Sequence, residues 1–135
     1  MTKVVLDSNV VVSALLFDGK PEQILFTASR GDIRIILTPA ISEEIYCVLT
    51  TKFKQPEYVA KKLLRSVTSI SKIVVPKLKV RLIKYLPDNK ILEAGLAGKV
   101  DYVITGDRKH LLPLKAFKDI PIVTPDQFLR EIETK

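Results

Sequence analysis

Short apolar runs rich in β-branched residues recur along the chain, and none of them alternates with polar residues. Lys3–Leu6, "RIILT", the "YVIT" of "DYVITGD" and "IPIVTP" are of this kind. A strand with one wet face alternates, whereas a strand covered on both faces reads as continuous apolar sequence. The stretches between them carry helical spacing instead. "PEQILFTASRG" has Pro21 in a first turn and Gly31 just past the end. "PAISEEIYCVLTTKF" sets Ile41, Ile45, Val48 and Leu49 on one face, and "PEYVAKKLLRSVTSISKI" does the same with Val59, Leu63, Val67 and Ile70. "PDNKILEAGLAG" reads as a helix that Gly98 stops, "IVVP" as a short strand and "PDQFLREIE" as a terminal helix. Strands separated by helices build a parallel sheet with helices on both faces, so the expected class is α/β.

The remaining composition narrows the setting. A chain of 135 residues, 47% apolar, is expected to form one domain over 1–135 with a real core. No apolar run approaches the ~20 residues that span a bilayer, and the amino terminus has no signal-peptide pattern, so no membrane association is expected. A single cysteine, Cys47, leaves no internal disulfide and suits a reducing, cytoplasmic location; within its apolar helix it reads as a packing residue. The net charge of +7 is regional. Residues 51–90 hold eleven Lys/Arg against Glu57 and Asp88, while the rest of the chain is slightly acidic. That segment reads either as a solvated lysine face or as a surface for a polyanion, with Lys52, Lys54, Lys61, Lys62 and Arg65 as the candidate contacts. Tyr46, Tyr58 and Tyr85 lie among these bases and read as core or boundary aromatics, or as rings that stack on nucleobases.

In open α/β sheets, ligands bind beyond the carboxyl ends of the strands. Asp7 ends the first strand, and Asp107 follows "YVIT" by one glycine. Glu44 lies one turn into the helix after the second strand, with Glu43 beside it turned outward, and Asp88 opens a later helix. Each has a plain structural reading: a carboxylate held by backbone amides for Asp7, a solvated helix residue for Glu44, an N-cap for Asp88, a turn residue for Asp107. Gathered at one sheet edge, they repel one another unless protons or cations neutralise them. Oxygen-only ligands suit Mg²⁺ or Mn²⁺, and such an ion activates water for displacement at phosphate. Zinc is disfavoured, because Cys47 and His110 have no companions; His110 reads as a surface residue. Asp101 is expected at the strand start or in an outer shell of the acids, and Glu93 at the surface or behind the site.

"VVLDSNVVVSALL", the "ISEEI" helix, "PDNKILEAGLAGKVDYVITGD" and "IPIVTPDQFL" together resemble a PIN domain, and most closely the small stand-alone PIN proteins of toxin–antitoxin pairs. The likeness runs from about residue 3 to 130, with the motifs in the family's order. It implies a three-layer α/β/α sandwich on a five-stranded parallel sheet and a metal-dependent ribonuclease. Carried over, it implies that Asp7, Glu44, Asp88 and Asp107 are catalytic and that Asp7, Asp88 and Asp107 hold Mg²⁺ or Mn²⁺. Asn9 and Thr105 match the polar residues beside these acids. An RNA substrate, a cognate antitoxin and a homodimer are the implied partners. The segment before Asp88, "KYLPDN", is poorer in aspartate than the family's pattern, which points to one tightly bound ion. A PIN fold that binds RNA or a partner without cutting is the alternative. A receiver-like phosphorylation domain fits poorly, because the early acid is single and no central strand ends in the aspartate such a domain needs.

Overall fold

The computed structural model describes residues 1–77, 79 and 86–133, with 86–88 in backbone only. The elements are Thr2–Leu6 (β1), Ser8–Leu16 (α1), Lys20–Ser29 (α2), Ile33–Leu37 (β2) and Pro39–Cys47 (α3), which runs into a π-helical turn, Val48–Lys52. Glu57–Thr68 (α4), Ser71–Ile73 (β3), Leu86–Gly98 (α5) and Tyr102–Ile104 (β4) come next. A 3-10 turn at Leu112–Leu114, then Ala116–Phe117 (β5), Ile120–Val123 (β6) and Pro125–Glu133 (α6), complete the described chain.

The strand order is β3-β2-β1-β4-β6-β5. The pairings of β2 with β3, β1 with β2, β1 with β4 and β4 with β6 are all parallel. Val4, Val5 and Leu6 in β1 are 0% exposed. Successive strand side chains point to opposite faces, so three consecutive buried residues mean that helices cover both sides. α5 lies across β1, β2 and β4, while α2 packs on β2 and α6 on β4. Five parallel strands are present as expected, although β3 is Ser71–Ile73 rather than "IVVP" and lies at the end of the stretch expected to be helix, where α4 stops at Thr68; a sixth strand is added. β5 pairs antiparallel with β6 through a two-residue turn, Lys118 and Asp119, both at positive φ. Asn-Gly or Asp-Gly is the usual signal for such a turn, and Lys-Asp gives none.

Two local expectations change. "SNVVVSALL" is a helix, α1, although its β-branched residues gave no helical signal. Asp7 caps it, and Val10, Val11, Val12 and Ala14 are all buried, so tertiary packing overrides propensity and the apolar stripe widens until no period remains. Gly98 is not the left-handed stop of α5; Lys99 adopts that conformation, at φ 50°. Gly98 is needed for space instead, since a Cβ there would stand 2.7 Å from Ile36 Cγ2 and press α5 off β2. Gly98→Ala is therefore expected to destabilise the fold by about 1–3 kcal/mol, the usual cost of overpacking, despite alanine's better helix propensity. Urea unfolding checks this; an unchanged or raised midpoint would contradict the close approach.

Candidate functional site

β1 and β4 end side by side where the strand order changes direction. From β1 the chain builds outward through β2 to β3, and from β4 it builds the other way to β6. A crevice opens beyond the carboxyl ends at such a point. Asp7 is the first residue after β1, and its N–H donates to the Ile104 carbonyl at 2.9 Å. Its carboxylate accepts the Asn9 N–H at 3.4 Å and is thereby the N-cap of α1. Thr105, fully buried at the end of β4, donates its hydroxyl to Asp7 Oδ2 at 2.7 Å and accepts the Asp107 N–H at 3.0 Å. One hydroxyl thus ties the acid of β1 to the acid beyond β4. Asp107 in turn accepts the Lys109 and His110 N–H groups at 3.0 and 3.2 Å, which folds the adjoining turn around its carboxylate. His110 is exposed, as expected, and its Nδ1 lies 3.3 Å from Asp107 Oδ2.

Thr38 caps α3 by accepting the Ile41 N–H at 3.1 Å, which starts that helix directly after β2. Ile41 and Ile45 are buried in the core, and this phase leaves Glu43 exposed and Glu44 half-buried toward Asp7. Burial pushes the Asp7 carboxyl up from its ordinary pKa; Asp107's charge adds to this, while Thr105 and the amides of Asn9 and Ser8 oppose it. Burial also raises Glu44, and Asp7's charge raises it further. The Ser8 hydroxyl, buried close by, makes no hydrogen bond of proper geometry among the described residues. Two carboxylates held above their ordinary values beside an unpartnered hydroxyl form an all-oxygen donor set that suits a hard divalent cation. Among the described residues no three His, Cys, Asp or Glu side chains converge on one ion. Asp88 falls in the first turn of α5, and its side chain lies outside the described residues, as does Tyr85.

An open cleft of about 630 Å³ lies over Asp7 and Asp107, lined also by Asn9, Ser13, Lys52 and His110 among others. Lys52 reaches it because the π-helical turn extends α3; Lys54, Lys61, Lys62 and Arg65 are exposed along and before α4. A cavity of about 560 Å³ between α2 and α6 is lined by the solvent-facing Arg30–Asp32 pair at 3.4 Å and by Glu133, among mostly apolar and neutral polar residues. Of its two expected places Asp101 takes the strand start and not the outer shell: it stands at the amino end of β4, where its Oδ2 accepts the Lys3 N–H at 2.8 Å, at the opposite edge of the sheet from Asp7. Two expectations are corrected. Glu93 is buried, with Oε1 3.7 Å from Lys90 Nζ. Cys47 is exposed at the end of α3 rather than packed. Ser13, one face-repeat after Asn9, was missed with α1; polar residues four apart were the available signal.

The family model of the PIN domain matches residues 3–109. The chain belongs to the PIN domain family. It is also 30% identical, over 144 aligned positions, to an uncharacterized protein of Methanocaldococcus jannaschii, an alignment that covers 97% of this chain and 92% of that protein. PIN domains form a nuclease superfamily and generally use divalent metal ions. In this PIN domain, no helix among the described residues is long and apolar enough to cross a membrane.

The raised carboxyls give the PIN domain a signed pH dependence. Asp7 and Glu44 hold protons more tightly when folded than when unfolded. Their contribution to stability is complete below the ordinary carboxylate range and is lost as pH rises through the raised folded values. Without divalent cation, melting is expected at a lower temperature at pH 7.5 than at pH 5, and Mn²⁺ or Mg²⁺ is expected to restore it at pH 7.5. Thermal melts in chelator and in metal check both; a curve rising with pH in chelator would contradict the assignment.

Proposed function

We propose that this PIN domain is a divalent-metal-dependent endoribonuclease that hydrolyses RNA phosphodiester bonds as the toxin of a toxin–antitoxin pair. The observation that carries this reading is the junction of β1 and β4, where Thr105 links Asp7 to Asp107 and Glu44 approaches from α3. Asp7, Asp88 and Asp107 would hold Mg²⁺ or Mn²⁺, with Glu44 completing the set or orienting the attacking water. The ion, when bound, supplies an activated water and offsets charge at the phosphate. Thr105 and the Asn9 amide fix the direction of the Asp7 carboxylate, so its lone pairs face the cleft without a search over rotamers. Lys52, Lys54, Lys61, Lys62 and Arg65 contact RNA phosphates, which holds the strand without reading its sequence.

The test is cleavage of a panel of RNAs in Mn²⁺ or Mg²⁺ against the same reaction in chelator. Divalent-dependent products support the reading. Metal binding without turnover on varied RNAs sinks it in favour of a non-cleaving RNA- or partner-binding module. A small protein that co-purifies with the chain and suppresses cleavage is the expected antitoxin.

A further inference from the structure

Phe17 ends α1 one turn beyond Ser13, to whose carbonyl its N–H donates at 2.9 Å. Ser13 is part of the cleft wall, and Phe17, which does not itself line the cleft, adjoins it through this bond. Its side chain is 54% exposed. Phe53 meets it edge-to-face, with centroids 5.9 Å apart and planes at 62°, which fixes the ring's direction while leaving most of it in water. Phe53 comes directly after Lys52, whose ammonium lies 5.6 Å from the Phe53 centroid and which itself lines the cleft. Outward from the acids, the order is carboxylates, one cation, then two rings. A single exposed phenylalanine needs no explanation. One held in orientation by a second ring, next to a cation and at the mouth of an acid cleft, matches a nucleotide: phosphate at the ammonium, base on the ring.

We propose that Phe17 is a stacking platform for one unpaired base of the RNA strand, with Lys52 on the adjoining phosphate and Phe53 as the ring that positions Phe17. This rests on the ribonuclease reading and adds to it a base subsite beside the point of cleavage. A paired base offers no free face, whereas every unstacked base does, so the subsite selects single-stranded segments without a strong base preference.

The experiment measures steady-state cleavage of a labelled single-stranded oligoribonucleotide in Mn²⁺, with the wild type, Phe17→Leu, Phe17→Trp and Phe26→Ala. Leucine keeps the apolar contact with Phe53 but has no flat face, so folding is preserved and stacking is not. Phe26 is equally exposed, at 54%, but lines the cavity between α2 and α6, and serves as the control. Phe17→Leu is expected to raise KM about tenfold with kcat little changed, as loss of one base–aromatic stack does. Phe17→Trp and Phe26→Ala are expected to stay near wild type. In a series of oligomers with one abasic nucleotide each, one position is expected to reproduce that loss and to be indifferent to Phe17→Leu. A Phe17→Leu enzyme with wild-type KM on every oligomer overturns the subsite while leaving the ribonuclease reading intact. A wild type that neither binds nor cleaves RNA overturns both.

Discussion

Asp7→Asn is expected to lower RNA cleavage by at least about 100-fold, the upper end of what loss of a neighbour to a metal ligand costs. The same change is expected to leave the fold as stable as before, or more so, at neutral pH. The two effects have opposite sign because one charge serves both. In the folded protein the Asp7 carboxylate is buried, faces Asp107 and Glu44, and is held above its ordinary pKa. Removing the charge relieves that cost. Asparagine keeps one acceptor oxygen, which can take the Asn9 N–H and hold the cap of α1, while its amide nitrogen faces Thr105 Oγ, which then accepts from it instead of donating to it. What is lost is the negative oxygen for a cation. Initial cleavage rates in Mn²⁺, titration of metal by calorimetry and melts in chelator separate the effects. Asparagine that cleaves as fast as aspartate would remove Asp7 from the site, and a large fall in melting temperature would make its role structural.

Thr105→Val comes second in expected size. Valine has nearly the shape of threonine, so the core at the end of β4 stays filled, but two hydrogen bonds vanish together. The Asp107 N–H loses its acceptor and Asp7 Oδ2 loses its donor. A buried group left without a partner costs about 1–3 kcal/mol. Asp7 is also expected to hold its proton to a higher pH, because the Thr105 hydroxyl is the largest of the influences that favour its charged form. Activity is expected to fall about 10–100-fold, as for other residues that orient a ligand. Raising pH is expected to recover part of that loss. Thr105→Ser keeps the hydroxyl and should retain most activity. Denaturant unfolding with pH–rate profiles of the three proteins tests this; a valine protein whose profile overlays the wild type would show that the bridge does nothing for Asp7.

The sequence made the sheet legible because its strands are covered on both faces and therefore read as unbroken apolar runs. The same burial concealed α1, since "VVVSALL" is apolar on most of its circumference and the helical period disappears with the polar face. Asp7, Glu44 and Asp107 were legible as acids at strand ends. Asp101 left two readings open, strand start or outer shell; it flanks the same strand as Asp107 but at the amino end, and parallel strands put the two ends on opposite edges of the sheet. Glu93 looked like a surface acid from its helical phase, yet α5 lies across three strands and leaves little of its circumference in water. Which of many lysines would reach the cleft was not legible at all, because that depends on the winding of one turn.

That turn, Val48–Lys52, closes with the Phe53 N–H on the Val48 carbonyl at 3.2 Å, one residue wider than an α turn. Thr50 and Thr51 turn their hydroxyls back onto the Tyr46 and Cys47 carbonyls, which eases the helix open. The widening works as a phase shifter. Winding the same residues as ordinary α-helix would rotate the downstream residues by about 100° about its axis. Lys52 and Phe53 would swing off the cleft together, with every acid in place and the net charge untouched. The reach of this site beyond its carboxylates therefore hangs on one backbone hydrogen bond, from Phe53 to Val48, and on no further charge.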